Sequence, residues 1–436
     1  MSELTQTFFE TLLRTQRQSP ERTLYYQRRL LERLVRHARA TVPYYRDSGR
    51  FDALFTKDNG IDWERWGEVP ILTRPEAQAN SDALYAESVP AECGEIRTGT
   101  TSGSTGRPLA FRTNTLQAAA NTAVQERGYV WAGMPEKLSV GWILGTKPGE
   151  GQYPMGTLYT TTIRGATRGI HQLSVETTLE QQCDWLTRIR PDVVMGYPGA
   201  LTLIACNLPR ALANHRFRLV VCVGEVVTPQ KRANLEAGFG CPMMELYSGS
   251  EFGIVAVEDR SVGRQLVSEE TLLLEFNRRT DSALLDGNLA ELIVTPFYNY
   301  AMPLIRYAPG DFAEVDSAPA PDDRTLRRLV RIAGRDRDFF VLPSGRRWWP
   351  QISRSKFLAE YLSFDQIQFA QIERGQIELR FVSHAAAPVN NAEALMATLQ
   401  AAVPEPIEFV LRQVPTIARL PSGKYLDYVR ISDSEG

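Results

Sequence analysis

Three short apolar runs between residues 192 and 251 each end in small or polar residues. They read Asp-Val-Val-Met-Gly-Tyr at 192–197, Leu-Val-Val-Cys-Val-Gly-Glu at 219–225 and Met-Met-Glu-Leu-Tyr-Ser-Gly-Ser-Glu at 243–251. Runs of this length, separated by segments with helical spacing, are typical of buried strands in a mainly parallel sheet with helices on both faces. Ligands of such sheets bind at the carboxyl edge, where these small and polar residues are expected to lie.

The same alternation continues on either side of these runs. Residues 177–190 have the pattern of an amphipathic helix that Pro191 ends, and residues 291–295 form a further strand-sized run. Residues 1–95 are predicted to be mainly helical. We therefore predict an α/β fold with a large N-terminal domain, residues 1–333, and a small α+β C-terminal domain, residues 334–436.

Composition limits the class of protein. The 436 residues are enough for two or three structural units, and 49 Lys+Arg against 51 Asp+Glu give a net charge of -2. This balance argues against a nucleic-acid partner and against an anionic membrane surface. The amino terminus has no apolar signal region, and the apolar runs are too short to span a bilayer, so a cytoplasmic location without a membrane partner is expected.

The stretch 100–108 reads Thr-Thr-Ser-Gly-Ser-Thr-Gly-Arg-Pro. Gly103 and Gly106 allow the main chain to approach an anion, the hydroxyl groups can surround phosphate oxygens, and Arg107 adds a charged donor. Segments of this composition are more often flexible linkers. Here the apolar residues 109–111 follow directly, which predicts a loop that runs into a strand. The spacing excludes a Walker A loop.

Five segments, in order, resemble those of one enzyme superfamily. Residues 101–108 resemble the phosphate-binding loop of adenylate-forming enzymes, T-S-G-[ST]-T-G-[KR]-P. Gly224-Glu225 resembles the G-[AG]-E element, and residues 247–251 resemble Y-G-x-[ST]-E. Residues 306–311 resemble R-Y-x-T-G-D, and residues 420–424 resemble the carboxy-terminal S-G-K element.

The amino-terminal region narrows the resemblance to one branch. His37-Ala38, Val-Pro-Tyr-Tyr-Arg at 42–46 and Val-Pro-Ile-Leu-Thr at 69–73 resemble the phenylacetate–CoA ligase and capsular polysaccharide biosynthesis branch. The resemblance covers nearly the whole chain. It implies ATP-dependent, AMP-forming activation of a carboxylic acid to an acyl-adenylate, followed by transfer to a thiol such as CoA. It also implies ATP and Mg²⁺ as cofactors and a C-terminal domain that rotates between the two steps.

The resemblance also implies roles for particular residues. Lys424 would bridge the acid carboxylate and the α-phosphate, Arg107 would be a second catalytic cation, and Glu251 would hold Mg²⁺. Asp311 would accept both ribose hydroxyls. The implied nucleotide-binding residues are Thr101, Ser102, Gly103, Ser104, Thr105, Gly106, Gly224, Glu225, Tyr247, Ser250, Asp311 and Arg335.

Each of these residues has an ordinary interpretation when taken alone. Lys424 resembles a solvated lysine near the carboxyl terminus, Tyr247 a core aromatic and Glu251 an acid at the start of a helix. Asp311 resembles a turn aspartate and Arg335 a surface charge paired with a neighbouring aspartate. The order of the five segments favours the functional interpretation.

Several positions depart from the family pattern. The hinge, usually G-R-x-D-D, has Arg337 in place of an acid, and residues 252–275 contain no Cys or His, so no zinc is expected. The acceptor stays open between CoA, an amine, a hydroxyl and a carrier protein, a degenerate nucleotide-binding member is a further alternative, and a homodimer is not excluded. The acid is expected to be aryl or arylacetic by analogy with the branch. Its pocket would be lined by Tyr197, Pro198 and Val223.

Overall fold

The computed structural model describes most of the chain. The described residues are 2–101, 108–147, 149–278, 289–318, 321–335, 338–350, 356–364, 366–383, 385, 387–418 and 426–430. They form an α/β protein with a large sheet flanked by helices and a smaller unit built on its own sheet, as the sequence predicts. Within these ranges, no helix has the length and apolar character needed to cross a membrane.

The helices begin and end at recognisable signals. The predicted helix over 177–190 is confirmed: Thr178 and Gln181 form a capping box at its start. It ends at Arg190 in the left-handed conformation (φ 44°), directly before Pro191. The helices are α1 Ser2–Thr15, α2 Pro20–Thr41, α3 Pro43–Asp47, α4 Arg74–Ala79, α5 Thr115–Trp131, α6 Leu179–Ile189, α7 Pro198–Cys206, α8 Pro229–Phe239, α9 Lys356–Tyr361 and α10 Ala392–Ala401.

The predicted strands at 192–197, 219–223, 243–247 and 291–295 are confirmed as β7, β8, β9 and β13 in the following list. The strands are β1 Leu72–Thr73, β2 Ile96–Thr100, β3 Ala110–Asn114, β4 Val140–Leu144, β5 Thr157–Ile163, β6 Ala166–Ser174, β7 Val193–Gly196, β8 Leu219–Val223, β9 Met243–Gly249, β10 Gly253–Asp259, β11 Arg264–Val267, β12 Leu272–Asn277, β13 Leu289–Pro296, β14 Tyr307–Ala308, β15 Asp311–Asp316, β16 Arg328–Arg335, β17 Phe340–Val341, β18 Arg347–Trp348, β19 Gln366–Glu373, β20 Gln376–Val382, β21 Glu408–Gln413 and β22 Tyr428–Arg430.

The large sheet has a parallel part and an antiparallel part. Strands β6, β4, β7, β8 and β9 lie side by side and pair in parallel. From β9 onward the sheet continues through β10, β11, β16, β15 and β13 by antiparallel pairing. The junction at β9 brings the carboxyl ends of β8 and β9 next to β15 and β16, and the site is built there.

Alternate residues of the parallel strands face two different helical layers. Val194 and Val220 pack in a cluster with residues of α6, α7 and α8. Their neighbours Val193 and Val221 pack in another cluster, with residues of α1 and α5. Because successive side chains of a strand point to opposite faces, both faces of this part of the sheet are covered.

The smaller unit has its own sheet and core. Its strand order is β21-β20-β19-β22, and residues of α9 and α10 pack on it in one hydrophobic cluster. Strand β16 of the large sheet runs to Arg335, and the small sheet begins at Gln366. The domain limits 1–333 and 334–436 stay a prediction.

Two adjacent tryptophans lie between the two units and face opposite sides. Trp348 belongs to the core of the smaller unit together with Phe340 and Leu342. Trp349 packs instead with Phe312 of the large sheet, at 4.8 Å between ring centroids, and its Nε1 donates to the Arg335 carbonyl at 3.2 Å. The hairpin of β17 and β18 therefore contacts both units.

The helical lead-in supports the segment that precedes Asp311. The Tyr45 hydroxyl donates to the Pro303 carbonyl at 2.9 Å and accepts from the Ile305 amide at 3.1 Å. Arg306 has φ 51° and donates from Nη1 to the Gly67 carbonyl at 2.8 Å. The arginine of the R-Y-x-T-G-D-like element thus fixes the backbone of this region.

Candidate active site

A cavity of about 470 Å³ lies at the carboxyl ends of β8 and β9, between the large sheet and the smaller unit. Its wall on the large unit includes Gly224, Glu225, Tyr247, Asp311 and Arg335, all predicted nucleotide-binding residues. The wall on the smaller unit includes Leu426, Asp427 and Tyr428, which come shortly after the S-G-K-like element in sequence. The fold therefore brings together predicted residues at or just after β8, β9, β15 and β16, which are distant from one another in sequence.

Asp311 is a buried carboxylate of this cavity that accepts two side-chain hydrogen bonds. It is buried, at 5% exposure, and opens β15, where it lies opposite Arg335 of β16. Tyr247 donates from its hydroxyl to Asp311 Oδ2 at 2.7 Å, and Arg335 donates from Nε to Oδ1 at 3.1 Å. A carboxylate offers about four acceptor positions, and the described residues occupy two of those of Asp311.

The partners of Asp311 keep their protons. Burial, and then the charge of Asp311, hold the pKa of Tyr247 well above its usual range, so the phenol remains a donor. Burial alone would lower the pKa of Arg335, but the charges of Asp311 and Asp338 raise it. Asp338 also accepts from the Arg335 amide at 2.9 Å, which fixes the backbone of this arginine.

The Gly224-Glu225 turn follows β8 and joins it to the start of α7. Gly224 has φ 74°, a conformation that favours glycine. The Glu225 carboxylate accepts from the Gly199 amide at 2.8 Å, so it satisfies a free N–H group in the first turn of α7. The predicted acid-pocket residues lie behind this turn: Pro198 opens α7, and Tyr197 and Val223 share a hydrophobic cluster. Their role in acid binding stays a prediction.

Glu251 lies in a separate buried cluster beside the stem of the 102–107 segment. Its Oε1 accepts from Arg74 Nη1 at 2.8 Å and from the Tyr307 hydroxyl at 3.1 Å. The Arg74 and Glu251 side chains are 7% and 4% exposed. Arg74 also donates from Nη2 to the Thr101 hydroxyl at 2.9 Å. A buried arginine therefore links the predicted metal-binding glutamate to the predicted phosphate loop.

Thr101 closes the stem of that loop. Its amide donates to the Leu109 carbonyl at 2.9 Å, and its hydroxyl accepts from the Leu109 amide at 2.9 Å. The strand predicted after the loop is confirmed as β3, which pairs with β2. Ser250 is exposed in the turn between β9 and β10. Several predicted residues lie outside the described residues: Ser102, Gly103, Ser104, Thr105, Gly106, Arg107 and Lys424.

A second acidic group lies in the same cavity, deeper along β9. The Glu245 amide donates to Glu258 Oε2 at 2.8 Å, and Arg232 donates from Nη2 to the same oxygen at 2.9 Å. Gln265 donates to Glu245 Oε2 at 2.5 Å. Burial, followed by the charge of Glu258, raises the pKa of Glu245 to about 7, although Arg232 opposes this rise.

The raised pKa predicts a pH-dependent stability that depends on Glu245. In the folded protein Glu245 keeps its proton to about pH 7, against 4.5 as its ordinary value. The contribution of Glu245 to the free energy of unfolding is thus fully present below pH 4.5 and is lost as the pH rises through 7. Glu245→Gln stays neutral, so its free energy of unfolding relative to wild type should increase between pH 5 and pH 8. Urea denaturation at each pH measures this difference.

The difference in free energy of unfolding between Glu245→Gln and wild type can change by at most about 1.4 kcal/mol per pH unit. We expect less, because the Glu245 side chain is 20% exposed. The glutamine of the variant still accepts from Gln265, so packing is largely preserved. A difference that does not change from pH 5 to pH 8 would contradict the shifted titration of Glu245.

Sequence reasoning missed three groups of this region. Arg74 directly follows the Val-Pro-Ile-Leu-Thr stretch that carries the branch resemblance, and this position in the sequence could have identified it. The Glu245 and Glu258 pair had no signal, because it depends on the pairing of β9 with β10. The contact between Lys231 of α8 and Asp427 of the smaller unit had none either.

Known proteins resemble the chain in sequence and in fold. No family model matches it. Protein CapK of Staphylococcus aureus is 24% identical over 314 residues, which cover 68% of this chain and 66%, just under two thirds, of CapK. Phenylacetate-coenzyme A ligase of Escherichia coli K12 is 25% identical over 352 residues, covering 77% of this chain and 76% of the ligase.

A solved structure resembles the chain over nearly its full length. 2-Hydroxyisobutyryl-CoA ligase in the postadenylation state, with the acyl-adenylate R3-HIB-AMP, has a TM-score of 0.70 at 17% identity. That match covers 96% of this chain and 92% of the ligase. The same ligase in the thioesterification state has a TM-score of 0.56, at 18% identity and with 95% and 92% coverage.

The ordered motifs, the site at the strand ends and these likenesses agree with one another. In sequence the chain is similar to CapK and to phenylacetate-coenzyme A ligase, and in fold it is similar to a CoA ligase of known structure.

Proposed function

We propose that the protein activates a carboxylic acid with ATP and then transfers the acyl group to CoA. In the first step a carboxylate oxygen of the acid attacks the α-phosphorus of ATP. The bond to the bridging oxygen breaks, pyrophosphate leaves and an acyl-adenylate forms. In the second step the sulfur of CoA attacks the acyl carbon, AMP leaves and the thiol proton is released.

The arrangement around Asp311 carries the proposal. A ribose offers two adjacent hydroxyl donors, and they suit the two acceptor positions of Asp311 that the described residues leave open. The Tyr247 ring lines the same cavity and is fixed at its hydroxyl by Asp311, so it offers a rigid face for adenine. The predicted phosphate loop begins at Thr101, where Arg74 connects it to Glu251.

Mg²⁺ fits the chemistry of Glu251. Oε1 of Glu251 is held by Arg74 and Tyr307, whereas Oε2 accepts no hydrogen bond among the described residues. A carboxylate oxygen is a donor that Mg²⁺ takes together with phosphate oxygens and water. Bound there, the ion would neutralise part of the phosphate charge. Arg74 orients the carboxylate and contributes a second positive charge.

The arrangement of the two units supports the first half-reaction. The chain is more similar to the postadenylation state of the 2-hydroxyisobutyryl-CoA ligase than to its thioesterification state, at nearly equal coverage. The two states belong to one ligase, so the difference in TM-score reflects how the units are placed. Lys424, three residues before Asp427, is the residue we assign to the carboxylate and the α-phosphate.

The test is exchange of labelled pyrophosphate into ATP, with Mg²⁺ and without CoA. A panel of aryl, arylacetic and short or long aliphatic acids identifies the acid class, for which an aryl or arylacetic acid is our first choice. Acid-dependent exchange is expected. No exchange with any acid, together with measurable ATP binding, would instead support a nucleotide-binding member without turnover.

The acceptor is tested in the same reaction. Adding CoA to the active acid should give a thioester and release AMP. If AMP release requires an amine, a hydroxyl compound or a carrier protein instead, the second half of the proposal is wrong and the first half stands. Arg337, at the hinge position where relatives carry an acid, is the departure that makes this experiment necessary.

The ribose role of Asp311 leads to a separate prediction. Asp311→Ala should weaken ATP binding about 10- to 100-fold, because a hydrogen bond to a charged group contributes about 1.5–3 kcal/mol. Isothermal titration calorimetry with ATP measures the change. Asp311→Asn keeps the shape of the side chain and one acceptor oxygen. Its ATP affinity should therefore lie between those of wild type and Asp311→Ala. Unchanged ATP affinity in a folded Asp311→Ala protein would refute the role of Asp311.

A further inference from the structure

One ion pair connects the two units at the cavity wall. Lys231 of α8 contacts Asp427 Oδ2 through its Nζ, and the two side chains are 4% and 17% exposed. The two residues are 196 positions apart in sequence, and both line the cavity that contains Asp311 and Tyr247. The pair is therefore a contact between units at the site itself.

The backbone of each partner is hydrogen-bonded within its own unit. Lys231 lies in the first turn of α8, where its amide donates to the Thr228 hydroxyl of the helix cap at 3.3 Å. Asp427 is tied to β19, because the Phe369 amide donates to its carbonyl at 2.8 Å. Gln368 holds the neighbouring Leu426 carbonyl at 2.9 Å. A change in the relative position of the units would thus separate the two charges.

The location of Asp427 connects this pair to the reaction. Lys424 precedes Asp427 by three residues, and three residues of extended chain reach at most about 11 Å. While Asp427 stays on Lys231, this end of the smaller unit is held at the cavity wall. Separation would break the short-range attraction between the two charges, so the ion pair favours the observed placement of the units.

We propose that Lys231 is a positioning residue that holds the smaller unit in the arrangement for adenylation. It acts through Asp427 and keeps Lys424 in reach of the α-phosphate. The contact opens before the acyl group is transferred. This inference rests on the proposed function and adds a residue of the large unit that selects between the two half-reactions.

The first test separates the two half-reactions in Lys231→Met. Pyrophosphate exchange with the active acid should fall about 10-fold, the lower end of the effect expected for one charge-assisted hydrogen bond. Transfer to CoA from chemically prepared acyl-adenylate should stay at the wild-type rate. Lys231→Arg, which keeps the charge, should retain most of the exchange. The reversed pair Lys231→Asp with Asp427→Lys should recover part of it.

Arg168→Met is the matched control. Arg168 forms a buried ion pair with Glu126 at 2.8 Å, and both residues belong to the large unit. Its loss should lower stability and leave the ratio of the two half-reactions unchanged. If Lys231→Met lowers exchange and transfer by the same factor, as a general loss of folding would, the proposal is overturned.

A second readout does not depend on activity. Small-angle X-ray scattering of the ligand-free protein should match the described arrangement in wild type and depart from it in Lys231→Met. An identical scattering profile in the variant would refute the proposal. If the wild-type protein shows no exchange with any acid, the proposed function fails, and scattering alone then decides whether the pair holds the two units.

Discussion

Replacing Lys424 by alanine is expected to lower acyl-adenylate formation about 10²- to 10³-fold, the effect typical of removing one charge-stabilising donor. The reaction brings a carboxylate onto a phosphate, so two negative charges approach each other. A cation that contacts both groups is worth more in that transition state than in the complex with ATP alone. ATP affinity should therefore stay near the wild-type value.

Pyrophosphate exchange and calorimetric ATP binding, measured on the same preparation, test this prediction together. Lys424→Arg is the matched variant, because it keeps the charge and changes the geometry of the donor. Its rate of pyrophosphate exchange should lie between those of wild type and Lys424→Ala. Near-normal exchange in Lys424→Ala would refute the assignment of the catalytic lysine. A large loss of ATP affinity would instead assign Lys424 to ground-state binding.

Arg74→Met is expected to lower the free energy of unfolding by about 3–5 kcal/mol, the usual result of removing one partner of a buried ion pair. Arg74 is the cation that contacts the nearly fully buried Glu251, and it also holds the Thr101 hydroxyl. Its removal leaves a buried carboxylate beside Tyr307 without this charge. Urea denaturation monitored by tryptophan fluorescence measures the loss.

The double variant Arg74→Met with Glu251→Gln is the critical comparison. Removing both charges should restore part of the stability, because the variant no longer buries an uncompensated carboxylate. The exposed pair of Arg65 and Glu68, with side chains 47% and 53% exposed, supplies a control. Arg65→Met should cost less than about 1 kcal/mol. Equal losses in Arg74→Met and Arg65→Met would mean that the buried pair contributes little.

The parts of the fold that depend on local pattern were predictable from the sequence. The strand Leu219–Val223 has the predicted limits, and the helix Leu179–Ile189 ends where Pro191 indicates. Such signals lie within a few residues of the element that they define. The antiparallel continuation of the sheet through β10, β11 and β16 was not predicted, because pairing between distant strands leaves little trace in one sequence.

The site divides in the same way. Asp311, Tyr247 and Arg335 could be named from motifs, but their mutual hydrogen bonds depend on β15 and β16 lying beside the end of β9. Arg74 and Glu251 are 177 positions apart, and nothing in the sequence around either residue indicates that the two form a pair. Contacts of this kind arise from tertiary packing, so a motif can identify one partner and leave the second unknown.

The tandem tryptophans have a consequence for the order of folding during synthesis. Leu289, Phe312 and Ala333 of the large unit are covered by Phe339 and Trp349, which come later in the chain. A ribosome that has released residues up to 333 has therefore produced a large unit with an uncovered apolar surface. That surface is closed only after residue 349 emerges. Since exposed apolar surface promotes aggregation of partly made chains, the completed large unit is open to aggregation over this short interval of translation.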